Sequence, residues 1–116
     1  MKNIFDGLPS GTAGEVFETL VERAGVCVER IVSHGEASED GFWYDQPHEE
    51  WVIVLRGAAR VRFEQDDRVV ELAAGDFLDI PAQTRHRVDW TTPDEATVWL
   101  AVHWGEEPQM HTDERK

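Results

Sequence analysis

Trp51-Val52-Ile53-Val54-Leu55-Arg56-Gly57-Ala58-Ala59-Arg60-Val61-Arg62-Phe63-Glu64 carries three signals that decide the fold. The unbroken apolar run 51–55 reads as a central strand covered on both faces. Arg56-Gly57 ends it as a turn. In residues 60–64, Val61 and Phe63 share one face, and Arg60, Arg62 and Glu64 share the other. That period of two belongs to a strand with one buried and one wet side.

The same grammar extends outward. In residues 85–90, Arg85, Arg87 and Asp89 share one face, and His86, Val88 and Trp90 the other. Residues 97–104 form a second nearly continuous apolar run, and residues 26–33 and 69–73 add further strands. Residues 15–23 suit either a helical stripe or a strand. The strand reading is preferred, because the neighbours are strands and Ala24-Gly25 makes a hairpin into Val26. Turn signals recur at His34-Gly35, Asp40-Gly41, Ala74-Gly75-Asp76, Pro81 and Thr92-Pro93-Asp94. Short strands at this spacing predict an all-β sandwich or barrel. Residues 1–14 are expected to be irregular, residues 15–105 to form the barrel, and residues 106–116 to be a polar tail.

The chain has 116 residues, enough for one domain. Eleven basic residues against 24 acidic ones give a net charge of −13. Such a surface repels phosphate backbones and anionic lipid, so neither nucleic acid nor a membrane is an expected partner. The first residues lack the apolar stretch of a signal peptide, and no apolar run is long enough to span a bilayer. The lone Cys27 excludes an internal disulfide and a Cys-based zinc cluster. A cytoplasmic location is the expectation.

Two segments hold the chemistry, residues 41–57 and 75–90. Glu50 and Gly57 are separated by six residues, Gly75 and Pro81 by five, and His86 follows Pro81 by five. This spacing resembles the two motifs of the cupin superfamily, G-x5-H-x-H-x3-4-E-x6-G and G-x5-P-x-G-x2-H-x3-N. The resemblance implies a cupin-type jelly roll, a double-stranded β-helix barrel. It also implies a metal site on one inner wall, whose usual ligands here become Tyr44, Gln46, Glu50 and His86. Tyr44 and Gln46 thus stand where two metal histidines usually stand, Gln83 replaces a glycine, and Trp90 replaces an asparagine.

Glu50, His86 and the Gln46 amide oxygen are the candidate ligands for a divalent metal, Mn, Fe, Ni or Zn. His103 is a candidate replacement ligand, because Trp99, Ala101 and His103 share a face of the last strand. An inward Glu50 needs a partner, since a buried carboxylate costs several kcal/mol unless paired or metal-bound. Tyr44 and Trp90 are candidate ligand-contacting residues, with Trp90 sharing the face of His86 and so lining the same cavity. His48 and Asp45 are expected to be exposed, His34 and His111 solvated, and Cys27 an inert buried thiol. Arg85 and Arg87 point to the opposite face, toward acidic neighbours or a partner subunit.

Three functions follow: a metal enzyme acting on a small organic substrate, a metal-free module binding a small metabolite, and a structural domain with a vestigial pocket. A homodimer is expected by analogy with other small cupins.

Overall fold

The computed structural model describes residues 2–105. Eight strands run β1 Val16–Arg23, β2 Val26–Ser33, β3 Glu49–Arg56, β4 Ala58–Phe63, β5 Arg68–Ala73, β6 Phe77–Ile80, β7 His86–Thr91 and β8 Thr97–Trp104. They form two antiparallel sheets, ordered β1-β2-β8-β3-β6 and β5-β4-β7. The expected all-β architecture is therefore observed. Residues 15–23, ambiguous in sequence, are strand over Val16–Arg23, and the hairpin closes with Arg23 opposite Val26 and Gly25 at φ +77. The tail expected over residues 106–116, with His111, lies outside the described residues. No helix among the described residues is long and apolar enough to cross a membrane.

Registers fix which side chains share a face. On the inner face of the larger sheet, one row runs Cys27, His103, Glu50, Ile80, and the next runs Glu29, Ala101, Val52, Leu78. A third brings Ile31, Trp99 and Val54 together. These meet Ala59, Val61, Phe63 and Leu72 of the smaller sheet in the core. Apolar residues thus fill most of the sandwich, while a polar group occupies one end of it.

Both apolar runs expected to be covered on two faces differ from that expectation. Glu50, Val52 and Val54 are buried, whereas Trp51, Ile53 and Leu55 are half-buried. Leu100 and Val102 on β8 behave the same way, and Trp104 is 37% exposed. The outer face of this sheet is largely apolar, and the described chain covers only part of it.

Gly57 makes the tight β3–β4 connection at φ +91. A Cβ there would lie 2.4 Å from Thr97 Oγ1 and 2.7 Å from Thr97 Cα. Only glycine fits so close a backbone approach.

Candidate functional site

Alternation brings the site together before any strand begins. Tyr44, Gln46, His48 and Glu50 are buried, while Asp45 and Pro47 are exposed. The segment leading into β3 already has the period of an extended chain. Tyr44 is fixed by a backbone bridge to β7, with its N–H donating to His86 O at 2.7 Å and its carbonyl accepting from His86 N–H at 3.1 Å. Its ring stacks on the His86 imidazole at 5.3 Å between centroids. The Gln46 carbonyl accepts from the Gln83 N–H at 2.6 Å. Gln83, which replaces the motif glycine, takes the left-handed φ of +59 that the glycine would supply.

Glu50, from β3, faces His86, from β7, across the sandwich. The carboxylate Oε1 accepts from Gln46 Nε2 at 3.1 Å and lies 3.7 Å from His86 Nε2. His86 Nδ1 lies 2.7 Å from the Thr84 carbonyl, which can only accept. Nδ1–H therefore donates to the Thr84 carbonyl, and Nε2 is the ring atom turned toward Glu50. Where Nε2 is unprotonated the two groups meet as acceptors, an arrangement that a donor or a cation between them stabilises.

A second polar group lies behind Glu50. His103 Nε2 is 3.0 Å from Glu29 Oε1 and 4.0 Å from Glu50 Oε2, and His103 Nδ1 is 3.0 Å from His48 Nε2. With Nε2–H donating to Glu29, Nδ1 accepts from His48 Nε2–H. Both ring nitrogens of His103 are thus engaged inside the wall. His48, expected to be exposed, is 2% exposed, because the alternation of residues 44–50 turns it inward. Glu29, not singled out in the sequence, is 1% exposed. Its signal was its position between Cys27 and Ile31 on one face of β2. His34, expected to be solvated, is half-buried.

A cavity of about 40 Å³ opens beside the Glu50–His86 pair. Its apolar walls come from Ile31, Val52, Val61, Ile80, Val88 and Trp99, and Tyr44 and Glu15 complete it. Trp90, expected at this cavity, does not line it. A bulge in the β4–β7 pairing sets Val61 opposite Val88 but Arg60 opposite Trp90. The extra residue flips Trp90 to the outer face, under the Arg60 guanidinium at 4.5 Å. Trp99 supplies the indole at the cavity instead. Arg85 lies near Glu64 and Asp45, and Arg87 near Asp89, in line with their expected outward direction.

Among the described residues, no three His, Cys, Asp or Glu side chains converge as a ready metal-binding group. The donors that could serve a metal are Glu50, His86 and, after half a turn of its carboxamide, Gln46. The Gln46 Oε1 atom is buried and has no hydrogen-bond partner. This set fits a weakly held cation with two strong donors and one neutral one.

The chain belongs to the cupin domain family, whose family model matches residues 30–103. It is 48% identical to a protein of Ralstonia eutropha JMP134 provisionally described as a mannose-6-phosphate isomerase. That crystal structure aligns over 90% of this chain and 96% of its own, with a TM-score of 0.86. An uncharacterised double-stranded β-helix protein of Klebsiella pneumoniae aligns over 94% and 92%, at 16% identity and a TM-score of 0.76. A protein of Thermus thermophilus aligns over 90% and 95%, at 15% identity and a TM-score of 0.73. These two show a shared fold. No curated protein matches the chain.

Proposed function

We propose that this cupin binds a small organic molecule in the cavity beside Glu50 and His86, and that the ligand places a hydrogen-bond donor between those two groups. The observation that carries the reading is the 3.7 Å approach of Glu50 Oε1 and His86 Nε2 beside an apolar-walled cavity. An N–H or O–H group between them would satisfy both, while the apolar walls take the ligand's body. About 40 Å³ is the room of roughly three water molecules, so the enclosed part of the ligand is only a few heavy atoms.

A second reading has its own support. Glu50 Oε1 lies 3.1 Å from the Gln46 carboxamide and 3.7 Å from His86 Nε2. Neighbouring ligands of an octahedral ion with ordinary bond lengths are about 3 Å apart. Glu50, His86 and Gln46 would then hold a divalent ion (Mn, Fe, Ni or Zn). Such an ion supplies Lewis acidity toward a bound oxygen. His103, with both nitrogens engaged, would position Glu50 and stand outside the ligand set.

The activity provisionally given to the Ralstonia protein does not suit this cavity. A hexose phosphate needs a far larger cavity and cations for its phosphate, whereas no Lys or Arg lines this one. We also propose a cytoplasmic location, and the net charge of −13 disfavours nucleic acid as a partner. We further propose that the chain pairs as a homodimer through the apolar outer sheet face.

Elemental analysis and calorimetric titration with zinc, manganese and nickel, on wild type, Glu50→Gln and His86→Ala, separate the readings. Stoichiometric metal lost in both variants supports the ion. Metal-free protein that binds small donors, with both variants weakened at least tenfold, supports direct recognition. Failure of both kinds of binding in wild type overturns the proposal.

A further inference from the structure

The cavity beside Glu50 and His86 has a way in that neither reading uses. Every residue lining it is buried except Glu15 and Val88, which are half-buried. Glu15 leads into β1 and Val88 lies in β7, and these are edge strands of the two sheets. The opening therefore lies at an edge of the sandwich, with Glu15 and Val88 as its lips.

The two lips are built differently. The Val88 lip is fixed through its backbone. Its carbonyl accepts from the Ser38 N–H at 2.8 Å, and its N–H donates to Ser38 Oγ at 3.0 Å. Beside it, the Arg87 guanidinium donates to the Ser38 and Glu39 carbonyls, and Thr91 Oγ–H donates to the Glu36 carbonyl. Residues 36–39 are thus zipped to β7. The Glu15 lip is tied through its side chain. Ser33 Oγ–H donates to Glu15 Oε2 at 2.7 Å, and Trp99 Nε1–H donates to Ser33 Oγ at 3.2 Å. The Trp99 indole is itself a wall of the cavity, so this chain of bonds joins lip to wall. Gly14, next to Glu15, has φ +73 and ψ −159, a backbone region that only glycine visits readily. No atom lies within 4 Å of where its Cβ would stand. A glycine in open space beside a side-chain tie is a hinge beside a latch. When Glu15 swings outward, entering water can take over the Ser33 hydroxyl, so that bond is exchanged rather than lost.

We propose that Glu15 is the gate of the cavity. Turning at Gly14, it opens and closes the route by which a small molecule reaches Glu50 and His86, and the Ser33–Trp99 pair is its latch. This rests on the reading that the cavity takes a small molecule, and it adds how that molecule enters. The Val88 lip stays in place while the Glu15 lip moves.

Hydrogen exchange at the Trp99 indole N–H, assigned with Trp99→Phe, reads the opening without any ligand. The Val54 amide, fully buried and donating to the Asp76 carbonyl at 3.0 Å, reads unfolding of the whole core. In full-length wild type, corrected for intrinsic rates, the indole should exchange about tenfold or more faster than the Val54 amide. Equal rates would mean that the latch opens only with the whole fold, and would overturn the inference. Glu15→Ala should speed the indole about tenfold or more again, while leaving the Val54 amide within about threefold. Glu15→Gln, which keeps an acceptor for Ser33, should restore the wild-type rate. An indole rate that Glu15→Ala leaves unchanged would also overturn the inference. Passage is read with 1-propanol, from line shapes at the Trp99 resonance. Glu15→Ala should raise its association and dissociation rates together, with the dissociation constant changed by less than about threefold. Weaker binding at an unchanged association rate would make Glu15 a ligand contact and overturn the gate. The wild-type exchange comparison decides the matter even if Glu15→Ala fails to fold. If 1-propanol binds while the indole exchanges only with Val54, the gate falls and the pocket reading stands. If the indole exchanges as expected but neither 1-propanol nor a metal binds, the opening stands and the pocket reading falls.

Discussion

Glu50 is a carboxylate 5% exposed inside a sandwich, with Gln46, His86 and His103 around it. Its burial was legible in the sequence through its spacing to Gly57. The need for a partner followed from the cost of burying charge. What could not be read was the group behind it. His103 spans Glu29 and His48 at 3.0 Å each. His103→Ala should therefore destabilise the fold by about 3 to 5 kcal/mol, since it leaves Glu29 buried without that donor. Urea denaturation measures this. Adding Glu29→Gln to His103→Ala should recover part of the loss, whereas strictly additive losses would contradict the pairing. Cys27 gives a pH prediction. Burial, helped by Glu29 and Glu22 and opposed by a hydrogen bond from Thr19, raises its thiol above the usual value. The folded state then keeps its proton where the unfolded chain, near the ordinary value of about 8.5, loses it. Stability from this group is present below that value and declines as pH rises above it. Disulfide-reagent labelling at pH 8 should be much slower in folded protein than after denaturation, and equal rates would refute the assignment.

At the level of elements, alternation located the strands, and local departures from alternation moved the side chains that were misplaced. The β7 bulge carries Trp90 away from the cavity, because one added residue reverses the face of everything beyond it. His48 was missed for the opposite reason. The chain from Tyr44 to Glu50 contains Asp45 and Pro47, which favour turns, yet keeps a strand's period and turns every second side chain inward. Two glycine positions of the family pattern test the backbone argument in opposite senses. Gly57→Ala forces a Cβ to 2.4 Å from Thr97 Oγ1 at φ +91, and should cost more than about 2 kcal/mol. Gln83 already sits at φ +59. Gln83→Gly should leave stability unchanged or raise it by up to about 1 kcal/mol, since relief of left-handed strain competes with glycine's extra chain entropy. Thermal melts of both variants check the pair, and a harmful Gln83→Gly would show that its side chain does more than tolerate the turn.

The whole molecule presents one face whose composition contrasts with its net charge of −13. One outer row runs Val21, Val28, Val102, Trp51, Asp79, and the next runs Glu18, Arg30, Leu100, Ile53, Phe77. A third sets Arg23, Val26, Trp104 and Glu49 side by side. The chain's own first residues cover part of this face, with Arg30 donating to the Ile4 and Asp6 carbonyls and Arg56 over the Phe5 ring. Phe77 remains 65% exposed and Val21 42%. A two-fold axis along β8 would lay β1 of each copy over β6 of the other, bringing Arg23 near Glu49 and Asp79 across the interface. This charge complementarity, together with the apolar rows, supports the proposed homodimer. Val102→Glu should give a folded monomer by light scattering where wild type is a dimer. A monomeric wild type, or a dimer that Val102→Glu leaves intact, would contradict that arrangement. The sequence announced the apolar runs but not their exposure, because a run buried between layers and a run awaiting a second copy have the same composition.

The central proposal is that Glu50 and His86 together receive a donor or a cation through Glu50 Oε1 and His86 Nε2. Long-range proton–nitrogen spectra of histidine-labelled protein test it most directly, recorded while 1-propanol, a small hydroxyl donor, and then zinc are added. The account predicts a protonated Nδ1 on His86, held to Thr84 throughout, and an Nε2 resonance that moves on saturation with at least one of the two. A His86 proton found on Nε2 with Nδ1 bare, or an Nε2 resonance that neither addition moves, would contradict it.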